Sequence, residues 1–290
     1  MIGRLVKALL GWERKSNGEK DLIAHRWGRR AARLLAPLPV PLWMLLRVFG
    51  SDKHRPGSHA YGHTYGALFR RWKYRRVRLL EIGIGGYGGS LGGQSLLAWR
   101  AYFPFGAIVA ADIVPKQILA GRGVRVHTLD QSSPAALAAL CQAEAPFDIV
   151  IDDGSHLNAH QILTFRHLWG ALKEGGVYIV EDVQTSFWPG AVNGIAWDGA
   201  HIDDPAFRNV CVGYFLELAK YVNHAEFMRT EGVDAELLAL GRTIRRIGFE
   251  HNLIVVEKGD NTAASNVVPG ASSAREGKHD ARGGGAREED

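Results

Sequence analysis

Four side chains that could bind a metal ion or move a proton follow two short apolar runs in the middle of the chain. They are Asp153, His156, Glu181 and Asp182. Carboxylates at the tips of two neighbouring strands form a hard oxygen site that suits a divalent cation such as Mg²⁺. Buried together without a cation, the same carboxylates would be very costly or would protonate. The spacing therefore predicts Asp153, Glu181 and Asp182 as ligands of a metal ion.

His156 follows Asp153 by three residues, so its imidazole can project into the same pocket. A neutral imidazole beside a hydroxyl that a cation has made acidic is suited to act as a general base. The same spacing also permits a purely structural interpretation. In that interpretation Asp153 and Asp182 cap the helices that follow them, and His156 begins a helix.

A glycine-rich turn at residues 81–85 ends an earlier apolar run, and Asp112 ends the next run. Gly83 and Gly85 let the backbone pass close to a ligand, and an acid at the second strand tip suits a ribose diol. No Gly-Lys-Ser/Thr follows, which excludes the phosphate-binding loop of nucleoside triphosphatases. The glycine-rich loop is also longer than in a dinucleotide-binding turn. The pattern fits a nucleoside-bearing cofactor without an adjacent pyrophosphate, and S-adenosylmethionine is such a ligand.

Short apolar runs alternate with segments of helical spacing, which predicts an α/β fold with a mostly parallel sheet. The predicted strands cover residues 77–82, 108–111, 124–128, 147–151 and 177–180. The predicted helices cover residues 90–102, 134–143, 157–172 and 206–230, with a loop over 185–205 before the last of them. Strands at 243–247 and 253–257 form a terminal hairpin that adds an antiparallel strand. Ligands bind beyond the carboxyl ends of such strands, where Asp130, Gln131 and Asp152 also lie.

The two ends of the chain differ from this middle region. Residues 1–50 are expected to form a basic, amphipathic helical extension with a proline-rich joint at Pro37, Pro39 and Pro41, because alternate prolines interrupt a helix. This extension could cap its own domain, make a dimer contact or touch a membrane surface. Residues 259–290 are rich in Gly, Ala, Ser and charge, so a disordered tail is expected. The catalytic domain is therefore expected over residues 51–258.

Charge and composition limit the partners that the chain could bind and the classes of protein to which it could belong. The first 80 residues carry 18 Lys and Arg against four Asp and Glu, although the whole chain has a net charge of only +5. A basic front end can meet nucleic acid, an anionic membrane or an acidic partner, and a solvated helix face explains it equally well. Two cysteines exclude a disulfide scaffold and favour a cytoplasmic protein. No apolar stretch is long enough to predict a transmembrane helix.

Several motifs in order resemble the S-adenosylmethionine-dependent sugar O-methyltransferases of macrolides and related natural products. The mycinamicin 2''-O-methyltransferase typifies that family, and the resemblance covers residues 50 to 258. The motifs are GSDK at 50–53 with Ser58, His59 and Tyr61; LEIGIGG at 80–86; GGQSL at 92–96 with Trp99 and Tyr102-Phe-Pro; Asp130-Gln131; FDIVIDDGSH at 147–156; and GGVYIVEDVQT at 175–185 with Trp188-Pro189.

The resemblance implies a Rossmann-like class I methyltransferase fold, with a seven-stranded sheet, and a Mg²⁺-assisted methylation of a sugar hydroxyl. It assigns the metal to Asp153, Glu181 and Asp182 and the general base to His156. It places the cofactor near Glu81, Gly83, Gly85, Asp112, Asp130, Gln131 and Asp152. Acceptor binding is expected at the loop over residues 185–205 and at the N-terminal extension. The expected partner is a small-molecule or glycan acceptor, and no nucleic-acid partner is expected. A homo-oligomer is the expected assembly.

Three other functions are weighed against this one. An iron oxygenase with a carboxylate–histidine site usually needs two histidines, and the strand order argues against its fold. A cephalosporin-hydroxylase-like member of the same fold would share the motifs without transferring a methyl group. A non-catalytic binding protein, such as an RNA-associated subunit, is suggested only by the basic N-terminal region.

Overall fold

The computed structural model describes residues 16–86, 88–229 and 231–265. Within these residues, three α-helices precede the sheet: α1 (Asn17–Leu35), α2 (Leu42–Phe49) and α3 (Gly62–Phe69). The elements that follow are β1 (Arg78–Ile82), α4 (Gln94–Tyr102), β2 (Ala107–Asp112), β3 (Val124–Thr128), α5 (Pro134–Glu144), β4 (Phe147–Asp152), α6 (Asn158–Leu168), β5 (Leu172–Glu181), β6 (Pro189–Val192), β7 (Ile195–Asp198), α7 (Cys211–Tyr221), α8 (Ala235–Gly241), β8 (Ile244–Glu250) and β9 (Leu253–Lys258).

Seven strands form one sheet in the order β3-β2-β1-β4-β5-β9-β8. The first five are parallel, whereas β9 pairs antiparallel with both β5 and β8. The α/β class, the mostly parallel seven-stranded sheet and the C-terminal antiparallel hairpin are therefore confirmed. Because β1 and β4 are adjacent and the strand order reverses there, their carboxyl ends border the crevice where ligands of such sheets bind.

Two apolar cores cover the two faces of the sheet. Leu80 and Val109 pack with helices α5 to α7 on one face. Leu79 and Ile108, the adjacent residues in the two strands, pack with helices α1 to α4 on the other. Successive side chains of a strand point to opposite faces, so short uninterrupted apolar runs supply both cores.

The N-terminal helices are part of the second core. Ser16 and Glu19 form a capping box that begins α1, and the prolines at 37, 39 and 41 lie between α1 and α2, as the sequence predicts. Ala32 of α1 and Leu46 of α2 are buried in this core. No helix in the described part of the chain is long and apolar enough to cross a membrane. Residues 1–15, where the expected extension starts, lie outside the described residues.

Two predicted segments differ from the structure. The region over residues 185–205, expected as a loop, contains the separate hairpin of β6 and β7, whose four-residue strands are too short to give a clear alternation. The helix expected over residues 206–230 is divided: a short 3-10 helix (Pro205–Asn209) precedes α7, which ends at Tyr221. Asn261 donates hydrogen bonds to the carbonyls of Val222 (2.8 Å) and Gly241 (3.0 Å), at the ends of α7 and α8.

The segment after β9 is partly attached to the domain. The tail is expected from residue 259, yet the amides of Gly259 and Asn261 donate to Thr243 and Arg242, and Ser265 donates to Glu226. Residues 259–265 therefore pack on the domain. Residues 266–290, the rest of the expected tail, lie outside the described residues.

Candidate active site

The tips of β1 and β4 lie in direct backbone contact, and this contact positions Asp153. The amide of Asp153 donates to the carbonyl of Ile82 at 2.8 Å. A Cβ on Gly83 would lie 1.8 Å from the carbonyl oxygen of Asp153 and 2.8 Å from the Cα of Gly154. Gly83 also has φ +77, a conformation that glycine adopts without strain. Only glycine therefore lets the two strand tips approach this closely.

Asp153, His156 and Asp182 meet beyond the strand ends. Each offers one ligand atom, and these atoms lie within 4.8 Å of one another. The Nε2 atom of His156 is 3.9 Å from Oδ2 of Asp182. Both residues have left-handed backbone conformations, with φ 57 and φ 56, and Thr185 donates a hydrogen bond to the carbonyl of His156 at 2.7 Å. Such strain in non-glycine residues is common where a side chain must be aimed at a site.

Glu181, the third predicted ligand, is held differently. Its Oε1 atom accepts hydrogen bonds from Lys53 Nζ, at 2.7 Å, and from the hydroxyl of Tyr65. Lys53 Nζ also donates to Asp153 Oδ2 at 2.5 Å and lies 3.3 Å from Glu81 Oε1. A buried ammonium group thus connects three carboxylates, and Glu181 faces it rather than the group of Asp153, His156 and Asp182. We call Glu81, Asp153, Glu181 and Asp182 the acidic cluster.

Aromatic residues of the segment before β1 complete the acidic cluster. The Tyr61 hydroxyl donates to Asp182 Oδ1 at 2.7 Å, and His59 Nε2 lies 3.4 Å from the same oxygen. Tyr61 and Tyr65 lie one helical turn apart at the start of α3, which directs them to Asp182 and Glu181 respectively. These hydrogen bonds fix the rotamers of two carboxylates at adjacent positions of the chain.

Burial dominates the electrostatics of the acidic cluster. It raises the pKa of Glu81 and of Asp153, although Lys53 opposes both shifts, and it raises the pKa of Glu181 well above the usual range. Burial also disfavours the Lys53 ammonium, but Asp153, Glu181 and Glu81 together hold the pKa of Lys53 well above its usual range. One ammonium group therefore lies among several carboxylates. The remaining excess of negative potential favours the binding of an additional cation.

The donor set fits such a cation. Asp153 and Asp182 are partly exposed, with 18% and 17% of their side chains accessible, and both provide the carboxylate oxygens that Mg²⁺ prefers. The Nδ1 atom of His156 is buried without a hydrogen-bond partner. The structure thus places the four predicted side chains at the same strand tips, with Lys53 among them, and their roles as ligands and base stay predictions.

A cavity of about 390 Å³ adjoins Asp153 and His156. Its volume is within the range of small-molecule sites. Five of the predicted cofactor residues line it: Gly83, Gly85, Asp112, Asp130 and Gln131. The structure thus brings the glycine turn, the second strand tip and the third strand tip to one cavity beside the acidic cluster.

Glu81 and Asp152, the two other predicted cofactor residues, lie behind the cavity wall. Glu81 accepts hydrogen bonds from Ser95 (2.8 Å) and Trp99 (2.9 Å) of α4. Asp152 accepts from the Gln131 amide at 2.7 Å, and burial raises its pKa to about 7. Asp152 therefore supports a residue that lines the cavity, whereas Glu81 is held by α4 and lies beside Lys53.

Asp112 is held by Lys116, a residue that the sequence did not indicate. Lys116 Nζ donates to Asp112 Oδ2 at 2.8 Å and to the carbonyl of Gly85. The amides of Ile84 and Val114 donate to the same carboxylate, at 3.1 and 2.9 Å. Lys116 is almost fully buried, so it fixes the glycine turn and the second strand tip relative to each other.

The β6–β7 hairpin closes one side of the cavity with Ile195 and Trp197. Asp198 attaches it to the domain, because its carboxylate accepts hydrogen bonds from the amides of Asn158 (2.8 Å) and Ala159 (2.9 Å) at the start of α6. These amides have no partners within the helix. The hairpin lies in the segment where acceptor binding was expected.

Sequence reasoning did not assign Lys53, Tyr61, Tyr65 or Lys116 to the site. Lys53 and Tyr61 belong to motifs that carry the resemblance, which was the available signal. Their position, well before the first strand, gave no indication that they face the strand tips. Only the packing of α3 against the sheet brings them there.

No protein-family model matches the chain. A tetracenomycin relative, 8-demethyl-8-alpha-L-rhamnosyl tetracenomycin-C 2'-O-methyltransferase of Streptomyces olivaceus, is 40% identical over 221 residues, 75% of this chain and 54% of its own length. Mycinamicin VI 2''-O-methyltransferase of Micromonospora griseorubida is 34% identical over 208 residues, 70% of this chain and 49% of its own length.

A solved structure agrees in fold. The MycE methyltransferase from the mycinamycin biosynthetic pathway, in complex with Mg, SAH and mycinamycin VI, superposes with a TM-score of 0.69 at 32% identity, over 78% of this chain and 55% of that one. The chain thus spans about half the length of the relatives it matches. By sequence and by fold, the chain is a homologue of the sugar O-methyltransferases of macrolide and tetracenomycin pathways, with a class I methyltransferase fold.

Proposed function

We propose that this protein transfers a methyl group from S-adenosylmethionine to a sugar hydroxyl of a glycosylated natural product, with Mg²⁺ and His156 activating the hydroxyl. The observation that supports this most strongly is the convergence of Asp153, His156 and Asp182 beside the cavity of Gly83 and Asp112. The homologues named above and the Mg and SAH in the MycE structure support the same assignment.

The cavity residues position the methyl donor. Asp112 is the candidate for the ribose hydroxyls, and Gly83 and Gly85 let the backbone approach the ligand. Asp130 and Gln131 are candidates for the adenosine end, since both follow β3 and line the same cavity as Asp112. Holding donor and acceptor together would supply several kcal/mol of the rate gain, on the order of 7 or more in favourable cases. S-adenosylmethionine itself supplies an electrophilic methyl group.

The acceptor side uses the exposed part of the acidic cluster. Asp153 and Asp182 are the proposed ligands of Mg²⁺, whereas Glu181, held on the buried side by Lys53 and Tyr65, positions Asp153 through Lys53. A bound Mg²⁺ lowers the pKa of a hydroxyl beside it. His156 accepts the hydroxyl proton on its imidazole, and the carboxylate of Asp182, 3.9 Å away, stabilises the imidazolium that forms. Ile195 and Trp197 exclude water from the same side.

The test measures methyl transfer to a glycoside acceptor with chelator and with Mg²⁺ restored. We expect chelator to abolish turnover and Mg²⁺ to restore it. His156→Ala should lower turnover by roughly 10²–10⁴-fold, the usual worth of a positioned base, while Mg²⁺ affinity is retained. Loss of Mg²⁺ affinity in His156→Ala would instead make His156 a ligand. Full activity in excess chelator would refute the metal role, and no methyl transfer under any condition would favour the hydroxylase-like alternative.

A further inference from the structure

A second cavity of about 250 Å³ lies on the other side of the glycine loop, between α1, α4 and the segment before β3. Pro104 and Val124 line it, and both lie near the amino ends of β2 and β3. The cavity is therefore toward the opposite end of the strands from the acidic cluster. His25 also lines the cavity, and its Nε2 atom lies 2.8 Å from the carbonyl oxygen of Gly92.

Four arginines surround this cavity, and we call it the arginine pocket. They are Arg29 and Arg33 of α1, Arg100 of α4 and Arg122 of the segment before β3. Burial, together with the charges of Arg122 and Arg33, lowers the pKa of Arg100, which reflects how close the positive charges are. Like charges that line one cavity repel one another, and an anion between them would relieve that repulsion.

The structure supplies no such anion from the described residues. The arginines that form ion pairs in the described ranges are Arg78, Arg125, Arg166, Arg245 and Arg246. Arg29 and Arg100 donate only to backbone carbonyls, at Ala120 and at residues 103, 104 and 106. These bonds orient the guanidinium groups but leave their charges uncompensated.

Two glycines make room for these guanidinium groups. A Cβ on Gly121 would lie 3.0 Å from Nη1 of Arg29, and a Cβ on Gly123 would lie 3.0 Å from Cζ of Arg100. The floor between the arginines is apolar, and it is formed by Ala32, Ala36, Leu96, Leu97 and Leu119. An apolar floor beneath a rim of unpaired cations is complementary to a molecule with an apolar body and an anionic head.

We propose that the arginine pocket binds an anionic amphiphile, a phosphate or similar anion on a short apolar chain, at a site separate from methyl transfer. The side chains of Arg33 and Arg122, which are exposed and make no hydrogen bond among the described residues, receive the anionic head. Arg29 and Arg100, held by backbone carbonyls, form the fixed part of the rim. The apolar chain lies on the floor formed by α1 and α4.

The test is calorimetric titration of the full chain with n-octyl phosphate, with inorganic phosphate and n-octanol as the two halves of the ligand. We expect n-octyl phosphate to bind more tightly than either half, and to bind more weakly as salt rises. Arg33→Gln and Arg122→Gln should each weaken binding by about 10-fold, the usual worth of a hydrogen bond between charged groups. Arg26→Gln is the matched control, since Arg26 is exposed on the same helix and does not line the pocket.

Flotation with phosphatidylcholine vesicles, with and without phosphatidylserine, identifies the source of the ligand. Flotation that requires phosphatidylserine and both Arg33 and Arg122 supports the pocket with a membrane lipid as ligand. Binding of n-octyl phosphate without flotation supports it with a soluble amphiphile. Equal binding of n-octyl phosphate by Arg26→Gln and by the Arg33→Gln/Arg122→Gln double variant would overturn the proposal. So would flotation that survives in the double variant when n-octyl phosphate does not bind.

Discussion

The acidic cluster and the arginine pocket both concentrate charge of one sign, but only the acidic cluster contains its own counterion. Lys53 contacts three carboxylates within 3.3 Å, and Tyr61 and Tyr65 donate to two of the acidic cluster's side chains. In the arginine pocket, Arg33 and Arg122 both act on the charge of Arg100, and no acidic residue is among the described residues that line the cavity. The first region is organised before a ligand binds, whereas the second requires a ligand for its charge balance.

The two regions therefore differ in what they fix: the acidic cluster fixes the positions of its side chains, whereas the arginine pocket presents unpaired positive charge. Buried ions are tolerated when partners and hydrogen bonds replace water, so the carboxylates of the acidic cluster keep fixed orientations. Exposed arginines remain hydrated, so the lack of a bound anion costs them little free energy. Removing a charge should consequently destabilise the first region and have almost no effect on the stability of the second.

Lys53→Ala should give the largest effect, because it leaves the buried Glu81 and Glu181 and the partly buried Asp153 without their ammonium partner. We expect the free energy of unfolding to fall by about 3–5 kcal/mol, as when one member of a buried ion pair is removed. Mg²⁺ should raise the melting temperature of this variant more than that of the wild type, since a cation can replace part of the lost charge. Urea and thermal unfolding with and without Mg²⁺ measure both effects.

Lys220→Ala is the control for this prediction, since Lys220 forms an exposed ion pair with Glu217 at 2.5 Å. Its removal should change stability by less than about 1 kcal/mol. Wild-type stability in Lys53→Ala, or an equal effect of Mg²⁺ on variant and wild type, would show that Lys53 does not organise the acidic cluster.

Gly83→Ala should come next, because the added Cβ meets the backbone of Asp153. Overpacking of this kind costs about 1–3 kcal/mol, and displacement of Asp153 should weaken the binding of a divalent cation. Gly85→Ala is the matched control: it has φ +66 but nothing within 4 Å of its Cβ, so only backbone strain of about 1–2 kcal/mol is expected. Unfolding and cation titration distinguish the two. Equal cation affinity in both variants would contradict the close contact.

Asp198→Ala should have a smaller effect, concentrated on the hairpin. Loss of a side chain that caps a helix N-terminus costs about 0.5–2 kcal/mol, and here the same change releases the hairpin from α6. We expect amide exchange to accelerate at residues 189–198 and the KM for the acceptor to rise. Asp204→Ala, which removes a comparable bond to Ala206, should leave the KM unchanged. An unchanged KM in Asp198→Ala would exclude the hairpin from acceptor binding.

Arg33→Gln should give the smallest effect on stability, within about 0.5 kcal/mol of the wild type, because its charge has no acidic partner. Arg125→Gln is the variant for comparison, since Arg125 forms an ion pair with Glu144, a buried acid. We expect Arg125→Gln to be the more destabilising variant in urea unfolding. The reverse order would mean that Arg33 has a stabilising partner and that the contrast between the two regions fails.

The sequence predicted the fold well because its strongest signals are local. Short apolar runs and helical spacing identified the five parallel strands and the terminal hairpin, and β3 matched residue for residue, although β5 begins at Leu172, within the predicted helix over residues 157–172. The β6–β7 hairpin and the end of α7 were missed, because their limits depend on contacts such as those of Asp198 and Asn261, which come from elsewhere in the chain.

The site was predictable only in part for the same reason. Residues at strand tips, such as Asp153 and Asp112, could be located from the topology alone. The side chains that hold them come from other segments, Lys53 from before α3 and Lys116 from after β2, and no periodicity relates them to the strands. The division of Glu181 from Asp182 also required the structure, since adjacent residues of the chain face different partners.

The most direct test of the account is whether Asp153 and Asp182 hold a divalent cation. Titration with Mn²⁺, followed by electron paramagnetic resonance of the free ion, measures this without relying on turnover. We predict one cation per chain in the wild type and in His156→Ala, competition by Mg²⁺, and loss of the site in Asp153→Asn/Asp182→Asn, with circular dichroism checking that the double variant is folded. Wild-type Mn²⁺ binding in that double variant, or no bound cation in the wild-type protein, would contradict the proposed metal site.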